Sequence, residues 1–289
     1  MKKNVLLVVN PISGAIDKYE FIDATSDFAA KENLNLVLYT TSGKDDILKI
    51  RALYDKHKPE RIIVAGGDGT IKMVAEAMEY KDVILGILPA GSANGLSVDL
   101  NLSTTLEENL QIAFRNNYIE LDIIVINGKK SFHLSDLGLN AELIKNYTKN
   151  DSHGKWGYFL EIVDTLIDLD DPFTATISAN NQTIKCQARM IVVANSKKYG
   201  TGIVINPDGL MNDGKFELVI IKNLDVLVFG KIITGNMPIN LEDIQIISTD
   251  KATITTNFPV SFQIDGEYCG AETKLEISIS PMKIKIAIP

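Results

Sequence analysis

One stretch decides the fold: RIIVAGGDGTIKMVAEAM, residues 61–78. Its first five residues form a short apolar run, as expected of a strand that is buried on both faces. Ile71, Val74 and Met78 then recur at helical spacing. Between strand and helix, the glycines of Gly66–Thr70 let a ligand approach the backbone, and the first helical turn offers N–H groups to phosphate oxygens. The stretch therefore predicts a strand, an anion-binding loop and a helix.

The same alternation extends in both directions through the first ~120 residues. Apolar runs at 4–9, 34–39 and 83–88 predict three further strands. Helical patterns follow them, the clearest from about Lys18 to Lys31 and from about Leu106 to Phe114. Strands that alternate with helices pair in parallel, with the helices as crossovers. This half of the chain predicts an α/β domain built on a parallel sheet.

After about Leu121 the pattern changes to short strands joined by tight turns. Asn127-Gly128 and Asn180-Asn181 each separate two apolar runs, which indicates hairpins. One helical pattern lies near 159–167, and the chain ends in four short strand-like runs, ATITT, VSFQI, KLEISI and KIKIAI. We therefore expect domains at 1–121 and 122–289, the second an antiparallel β-sandwich-like domain, with a return of the final strand to the first domain left open.

Composition excludes several classes of function. Lys and Arg number 29 against 37 Asp and Glu, a formal net charge of −8, so the chain gains little from counterion release and no nucleic-acid partner is expected. Cys186 and Cys269 cannot form a disulfide framework, and three scattered histidines do not predict a zinc site. No stretch approaches the ~18 apolar residues that a membrane span requires. We expect a cytoplasmic protein.

Three polar, glycine-containing loops follow three of the predicted parallel strands. Besides Gly66–Thr70, they are NPISG at 10–14 and PAGSANG at 89–95. The carboxyl ends of parallel strands share one edge of a sheet, and open α/β sheets bind ligands at that edge. No GxxxxGK[ST] sequence occurs in the chain. The three loops predict a nucleotide site that is built without a Walker loop.

Each loop also has a purely structural interpretation. Asp68 could hold Mg²⁺ or take a proton from an attacking hydroxyl, or it could cap its own helix. Ser92 could bond a phosphate, or it could cap the short helix that follows. Glu267, far downstream, could be a base or an exposed turn acid. The presence of three such loops at three strand ends favours the nucleotide site.

In this order and spacing, the motifs resemble those of the diacylglycerol kinase and sphingosine kinase family of lipid kinases, especially its small bacterial members. NPISG is similar to the family's NPxSG, GGDGT matches its nucleotide motif, and LPAGSANGL is similar to its GTxND or GSGNA motif. Downstream, Asp265-Gly266-Glu267 matches the family's DGE. The resemblance runs from Asn4 to the end of the chain. It implies a phosphofructokinase- or NAD kinase-like first domain, a second domain for the lipid, and ATP and Mg²⁺ as cofactors.

The resemblance also implies roles for single residues. Glu267 would accept the proton of the lipid hydroxyl, with Asp265 in the same motif. Asp68 would assist or organise Mg²⁺, and Asp122 matches an acid near the family's reaction centre. The residues implied to bind ATP are Asn10, Ser13, Gly14, Thr40, Gly66, Gly67, Asp68, Gly69, Thr70, Ser92 and Asn94.

A structural Mg²⁺ is implied for the segment NPDGLMNDGKFEL, through the side chain of Asp213 and the carbonyls of Leu210 and Lys215, since Mg²⁺ prefers oxygen ligands. The chain departs from the family at Gly95, where many diacylglycerol kinase-like members have Asp. The sphingosine kinase version has a small residue there. The departure bears on the choice of acceptor, and it motivates a non-enzymatic alternative, a nucleotide-binding regulator.

The leading hypothesis is an ATP- and Mg²⁺-dependent kinase that phosphorylates the hydroxyl of a lipid such as diacylglycerol or a sphingoid base, in a cleft between the domains. A NAD kinase or phosphofructokinase relative shares GGDG, but LPAGSANGL is closer to the lipid kinases. The expected partner is the lipid substrate, and a homodimer is left open. Transient membrane contact would use an apolar rim or the basic segment Lys145–Trp156.

Overall fold

The computed structural model describes residues 2–14, 16–92, 94–138, 141, 172–199, 203–222 and 244–289. The chain divides into two compact units. The first holds Met1–Leu121 together with Pro281–Pro289, at the very end of the chain. The second holds Asp122–Tyr199 and Ile203–Ser280. The helical pattern near 159–167 and the basic segment Lys145–Trp156 lie outside the described residues.

The first unit alternates strands and helices, and the α/β prediction is confirmed. Its elements are β1 (Asn4–Val9), α1 (Lys18–Lys31), β2 (Asn35–Thr40), α2 (Asp46–His57), β3 (Arg61–Gly66), α3 (Asp68–Ala77), β4 (Ile84–Pro89), α4 (Gly95–Asp99) and α5 (Leu106–Phe114). The strands pair in parallel in the order β2-β1-β3-β4. Every residue of β3 is buried, as its continuous apolar run predicts. None of the described helices has the length and apolar character needed to cross a membrane.

The register of these strands brings their carboxyl ends together. Val9 lies opposite Thr40 of β2 on one side and opposite Ala65 of β3 on the other. Gly66 lies opposite Pro89 of β4. The three loops that the sequence singled out therefore start at one edge of one sheet, where ligands bind in folds of this class.

The second unit is built mainly of antiparallel strands. The remaining strands of the chain are β5 (Tyr118–Ile126), β6 (Lys129–Ser131), β7 (Leu134–Gly138), β8 (Phe173–Ala179), β9 (Gln182–Ala188), β10 (Met190–Ala194), β11 (Lys198–Tyr199), β12 (Ile203–Val204), β13 (Phe216–Ile221), β14 (Ile244–Thr249), β15 (Lys251–Ile264) and β16 (Glu267–Ala287). The order β14-β13-β10-β7-β15-β16 is antiparallel throughout, with β8 and β9 joined to the side of β15. Apolar side chains such as Phe216, Phe262 and Leu137 form its core.

Both hairpins expected from Asn-containing turns are confirmed. Asn127-Gly128 joins β5 to β6, and Asn180-Asn181 joins β8 to β9. All four residues have positive φ, between 46° and 79°. Two consecutive left-handed residues suit the twist of a hairpin, and Asn and Gly tolerate that conformation best.

The expectation of four short strands at the end of the chain is wrong, because two long strands run through Pro259 and Pro281. β15 continues through Pro259 with an irregular register between Thr255 and Val260, and such irregularities tolerate proline. β16 likewise runs on from the second unit into the first. There, Lys285 pairs in parallel with Ile84 of β4, so the final strand joins the sheet of the first unit.

Candidate functional site

The loop after β1 packs against the loop after β4. The hydroxyl of Ser13 lies 3.1 Å from the carbonyl oxygens of both Asn10 and Ala90 and donates to this pair. Gly14 has a φ of +60°, and a Cβ atom there would lie 2.9 Å from the carbonyl oxygen of Ala90. Glycine is therefore required at this position by both backbone conformation and space.

The loops after β3 and β4 approach each other through two glycines. A Cβ atom on Gly91 would lie only 2.4 Å from the Cα atom of Gly67. The N–H of Ala90 also donates to the carbonyl oxygen of Gly66 at 2.9 Å. By contrast, a Cβ atom on Gly69 would meet nothing within 4 Å. Glycine at 67 and 91 thus allows loop-to-loop packing, whereas the side of Gly69 is open to a ligand.

Asp68 caps a helix, but a different helix from the one that the sequence indicated. Gly67 is the N-cap of α3, and Asp68 is its first residue. The carboxylate of Asp68 instead accepts from the backbone N–H of Gly95 at 2.8 Å and of Leu96 at 3.2 Å. The structural alternative, in which Asp68 caps its own helix, is therefore wrong, because the side chain is directed to the first turn of α4.

The first turn of α3 has no side-chain cap, because its N-cap is glycine. The N–H groups at the start of a helix lack helical partners, and the helix dipole makes this end favourable for anions. Gly69 in this turn is exposed. The arrangement is chemically suited to the phosphate groups of a ligand.

Several side chains that were expected to contact ATP hold the loops in place. Asn10 donates through Nδ2 to the hydroxyl of Thr70 at 3.0 Å, and Thr70 is buried. Asn94 accepts from the N–H of Gly91 and donates to its carbonyl, both at 2.9 Å. Asn94, and not Ser92, is the N-cap position of α4, so the capping alternative for Ser92 is wrong. Ser92 is exposed.

The segment after β2 is organised by a carboxylate that the sequence did not single out as a site residue. Thr40 is exposed at the end of β2. Asp46, which is buried, accepts from the hydroxyl of Tyr39 at 2.5 Å and from the N–H groups of Ser42 at 2.9 Å and Gly43 at 2.7 Å. Burial alone would raise the pKa of Asp46, but these hydrogen bonds outweigh it and lower the pKa. Burial and the bond to Asp46 raise the pKa of Tyr39 to about 12.

A buried lysine holds the loop after β1. The ammonium group of Lys18 donates to the carbonyl oxygens of Ser13 at 2.6 Å and of Ile16 at 2.7 Å. Burial lowers the pKa of Lys18, and the charge of Asp17 opposes this shift. This role could not be predicted from the sequence, because one lysine at the start of an amphipathic helix normally lies in solvent.

In the second unit, the expected DGE motif forms the hairpin turn between β15 and β16. Ile264 lies opposite Glu267, and Asp265 and Gly266 between them have φ values of 49° and 86°. The side chain of Glu267 is exposed. Its position at the first residue after a tight turn leaves the carboxylate accessible to a substrate.

The other carboxylate of this motif is engaged by the protein. Asp265 accepts from the hydroxyl of Ser131 at 3.0 Å, and from the backbone N–H groups of Phe132 at 3.1 Å and His133 at 3.0 Å. Asp265 therefore ties the turn to the segment between β6 and β7. Its geometry suits a residue that holds the turn, whereas that of Glu267 suits a base.

Asp122 and the segment around Asp213 lie together in the second unit. The fully buried Asp122 accepts from the N–H of Gly214 at 2.6 Å, and its own N–H donates to the carbonyl of Met211 at 2.8 Å. Asp213 is exposed, and its carboxylate accepts from the N–H of Lys215 at 3.0 Å. The buried carboxylate of Asp122 thus holds this segment through Gly214, whereas the carboxylate of Asp213 faces solvent.

The oxygen donors of Leu210, Asp213 and Lys215 are of the kind that Mg²⁺ prefers. Among the described residues, no group of three or more His, Cys, Asp or Glu side chains could hold a metal ion. Mg²⁺ bound here would therefore depend on Asp213, backbone carbonyls and water. The donor chemistry fits the ion.

Comparisons with known proteins match each half of the chain to a known domain. Residues 4–126 match the model of the diacylglycerol kinase catalytic domain, and residues 138–288 match that of the YegS C-terminal NAD kinase beta sandwich-like domain. Proteins called "Probable lipid kinase YegS-like" from Yersinia pestis (strain Pestoides F) and Yersinia pseudotuberculosis serotype O:1b (strain IP 31758) are each 28% identical over 236 residues, covering 79% of this chain and 78% of theirs.

A solved structure shares the fold. The crystal structure of a "putative diacylglycerol kinase" from Bacillus anthracis str. Sterne superposes with a TM-score of 0.82 at 21% identity. The match covers 99% of this chain and 97% of that chain. At this identity the likeness supports the fold, including the β-rich second domain that the sequence predicted.

Proposed function

Because the chain belongs to the diacylglycerol kinase family of lipid kinases, we propose that it transfers the γ-phosphoryl group of ATP to the hydroxyl of a lipid. Diacylglycerol or a sphingoid base is the proposed acceptor class. The observation that carries the proposal is the convergence of three glycine-containing loops at one sheet edge, beside the uncapped start of α3. Phosphoryl transfer depends chiefly on positioning and charge stabilisation, which such a site supplies.

The first unit would bind the nucleotide. The N–H groups in the first turn of α3 would donate to phosphate oxygens, and Ser92 and Thr40 are exposed at the same edge. Asn10, Ser13 and Asn94 would act by holding the loops, as their hydrogen bonds indicate. Their substitution should therefore weaken nucleotide binding through loop geometry.

Glu267 is proposed as the proton acceptor. In the transfer step, the lipid hydroxyl oxygen would bond to the γ-phosphorus while the bond from that phosphorus to the bridging oxygen breaks. ADP leaves with the electron pair, and Glu267 takes the hydroxyl proton. General-base help of this kind contributes about 10²–10⁴-fold. The exposed carboxylate of Glu267 supports this assignment better than the engaged carboxylate of Asp265.

Mg²⁺ is proposed as the cofactor, which when bound would neutralise phosphate charge. Asp68 would organise it, since each carboxylate oxygen keeps accepting capacity beyond the bonds to α4. Asp213 and the carbonyls of Leu210 and Lys215 would hold a separate structural ion. Asp122 supports that segment through Gly214.

The acceptor lipid resides in a membrane, so the proposal includes transient contact with a bilayer. The chain carries a formal charge of −8, which disfavours general attraction to anionic lipids. Contact through a local surface is therefore proposed. Gly95, in place of the family's frequent Asp, is proposed to influence which lipid is accepted.

A phosphotransfer screen tests the proposal. Purified protein with ATP and Mg²⁺ would be given diacylglycerols and sphingoid bases in mixed micelles, with NAD as a soluble acceptor. We expect a phosphorylated lipid, no phosphorylated NAD, and about 10²–10⁴-fold slower transfer by Glu267→Gln. Phosphorylation of NAD alone would establish the soluble-acceptor alternative. ATP binding without transfer to any acceptor would favour the regulator.

A further inference from the structure

A buried polar pair lies next to the Asp265–Glu267 turn. Gln263 of β15 and Asp136 of β7 are directly opposite each other in the antiparallel ladder. They are only 3% and 2% exposed, respectively. The Nε2 group of Gln263 donates to Oδ2 of Asp136. Gln and Asp are seldom buried this deeply, so the pair requires an explanation.

The other end of the Gln263 side chain reaches the turn itself. Its Oε1 atom accepts from the backbone N–H of Gly266 at 2.7 Å. Gly266 stands between Asp265 and Glu267 and has a φ of 86°. One amide side chain thus connects the Asp265–Gly266 peptide of the turn to a carboxylate in the neighbouring strand.

Strand geometry separates this pair from the apolar core. Phe262 and Ile264, on either side of Gln263, belong to the hydrophobic cluster of the second unit. Alternation along a strand therefore directs Gln263 and Asp136 to the opposite face. A buried carboxylate and amide are costly unless they are hydrogen-bonded, and apolar residues would be a simpler way to fill that face.

The sequence of the turn itself favours a hairpin. Asp-Gly is a preferred two-residue hairpin sequence, and both residues have the positive φ that such a turn requires. What the sequence of the turn leaves unspecified is the orientation of the Gly266 peptide plane. That orientation sets the direction in which the chain enters Glu267.

We propose that Gln263 and Asp136 are positioning residues that fix the Gly266 peptide and thereby the carboxylate of Glu267. They act through the backbone. The catalytic meaning of the proposal rests on the proposed kinase function. The orientation of the Gly266 peptide is a property of the fold and is measurable without any substrate.

A charge-swapped pair of variants tests the arrangement. Gln263→Glu places a second carboxylate against Asp136 and removes the donor between them. Asp136→Asn added to that variant restores a donor, now from residue 136 to residue 263, with the net charge of the wild type. Gln182→Glu, in an exposed position of β9, is the matched control for the added charge.

The first readout is hydrogen exchange of the Gly266 amide, followed by NMR. In Gln263→Glu, repulsion between the two carboxylates should pull the acceptor oxygen of residue 263 away from the Gly266 N–H and accelerate exchange about tenfold, whereas the double variant and Gln182→Glu should resemble the wild type. Wild-type exchange of Gly266 in Gln263→Glu would overturn the proposal, whether or not the protein proves to be a kinase. So would an accelerated rate that the second substitution does not restore.

The second readout is the division between kcat and KM. Gln263→Glu should lower kcat about 10- to 100-fold through misplacement of Glu267 and leave KM for ATP unchanged, because the nucleotide loops belong to the other unit. The double variant should recover kcat. An unchanged kcat in Gln263→Glu with accelerated Gly266 exchange would overturn the positioning role. If the wild type transferred no phosphate, the proposed function would fail, and amide exchange alone would test whether Gln263 and Asp136 fix the Gly266 peptide.

Discussion

Asp68 accepts a hydrogen bond at 2.8 Å from the backbone N–H of Gly95, so the loop after β3 supports the helix that follows β4. Gly95 is the position at which the resemblance implies a departure from the Asp of many diacylglycerol kinase-like proteins. The N–H at this position contacts the GGDG aspartate. The loops after β3 and β4 are thus linked through the carboxylate of Asp68.

Asp68→Asn should weaken this link. An amide offers one acceptor oxygen, so only one of the two N–H groups of α4 keeps a partner, without charge assistance. We expect the free energy of unfolding to fall by about 1 kcal/mol in urea denaturation. Asp17→Asn is the control, because Asp17 caps α1 with a single bond that Asn can also make. Equal stability of Asp68→Asn and wild type would contradict the linking role.

Gly91→Ala should disrupt the packing of the two loops. The new Cβ atom would meet the Cα atom of Gly67 at 2.4 Å, and backbone atoms cannot give way as a flexible side chain can. We expect a loss of about 1–3 kcal/mol in stability and loss of ATP binding by calorimetry.

Gly69→Ala tests ligand contact in the same loops without disturbing their packing. Nothing lies within 4 Å of its Cβ position, and alanine favours the helix, so stability should be kept or increase. ATP binding should nevertheless weaken, since the added methyl group occupies the open side of the loop. If Gly69→Ala bound ATP as the wild type does, α3 would not be the phosphate-binding helix.

Tyr39→Phe removes one of the hydrogen-bond donors to Asp46. The free energy of unfolding should therefore fall by about 1 kcal/mol near neutral pH. Because the pKa of Asp46 is lowered in the folded protein, its contribution to folding stability is fully present above pH 3.8. That contribution is lost as the pH falls through the lowered pKa. The pKa of Tyr39, raised from 10.0 to about 12, means that its contribution is lost as pH rises across that interval. The stability difference between wild type and variant should therefore narrow at both extremes. A difference that stays constant from acid to alkaline pH would rule out this pair as its source.

Lys18→Met should loosen the loop after β1, because two carbonyl oxygens lose a charged donor. Hydrogen bonds to charged groups contribute about 1.5–3 kcal/mol, so we expect weaker ATP binding together with reduced stability. Lys31→Met, at the exposed end of the same helix, is the control. Equal ATP affinity in the two variants would exclude a role for Lys18 in shaping the site.

Much of the fold could be predicted from local patterns. The apolar runs and helical spacing located the strands and helices of the first unit, and Asn-Gly and Asn-Asn located the two hairpins. The error at the end of the chain concerns Pro259, which lies between two of the expected short strands but inside β15. Proline removes one donor, and an irregular ladder position can accommodate that loss.

The loops of the candidate site could be located from the sequence, but the contacts that support them could not. Asp68, Asn10 and Asn94 were recognised from motif position, yet their partners are set by how loops far apart in sequence meet. Lys18 and Asp136 gave no local signal, since only the folded chain buries them beside the loop after β1 and the DGE turn. Long-range contacts of this kind depend on register, which sequence spacing alone does not provide.

The most direct test of the kinase account is to follow the γ-phosphoryl group of isotopically labelled ATP into lipid by mass spectrometry, with ADP measured in the same reaction. We expect one labelled phosphoryl group on a lipid hydroxyl for each ADP formed, with slower transfer in Glu267→Gln and none in Gly91→Ala. ADP formed without any labelled lipid, or label recovered only on a soluble acceptor, would contradict it.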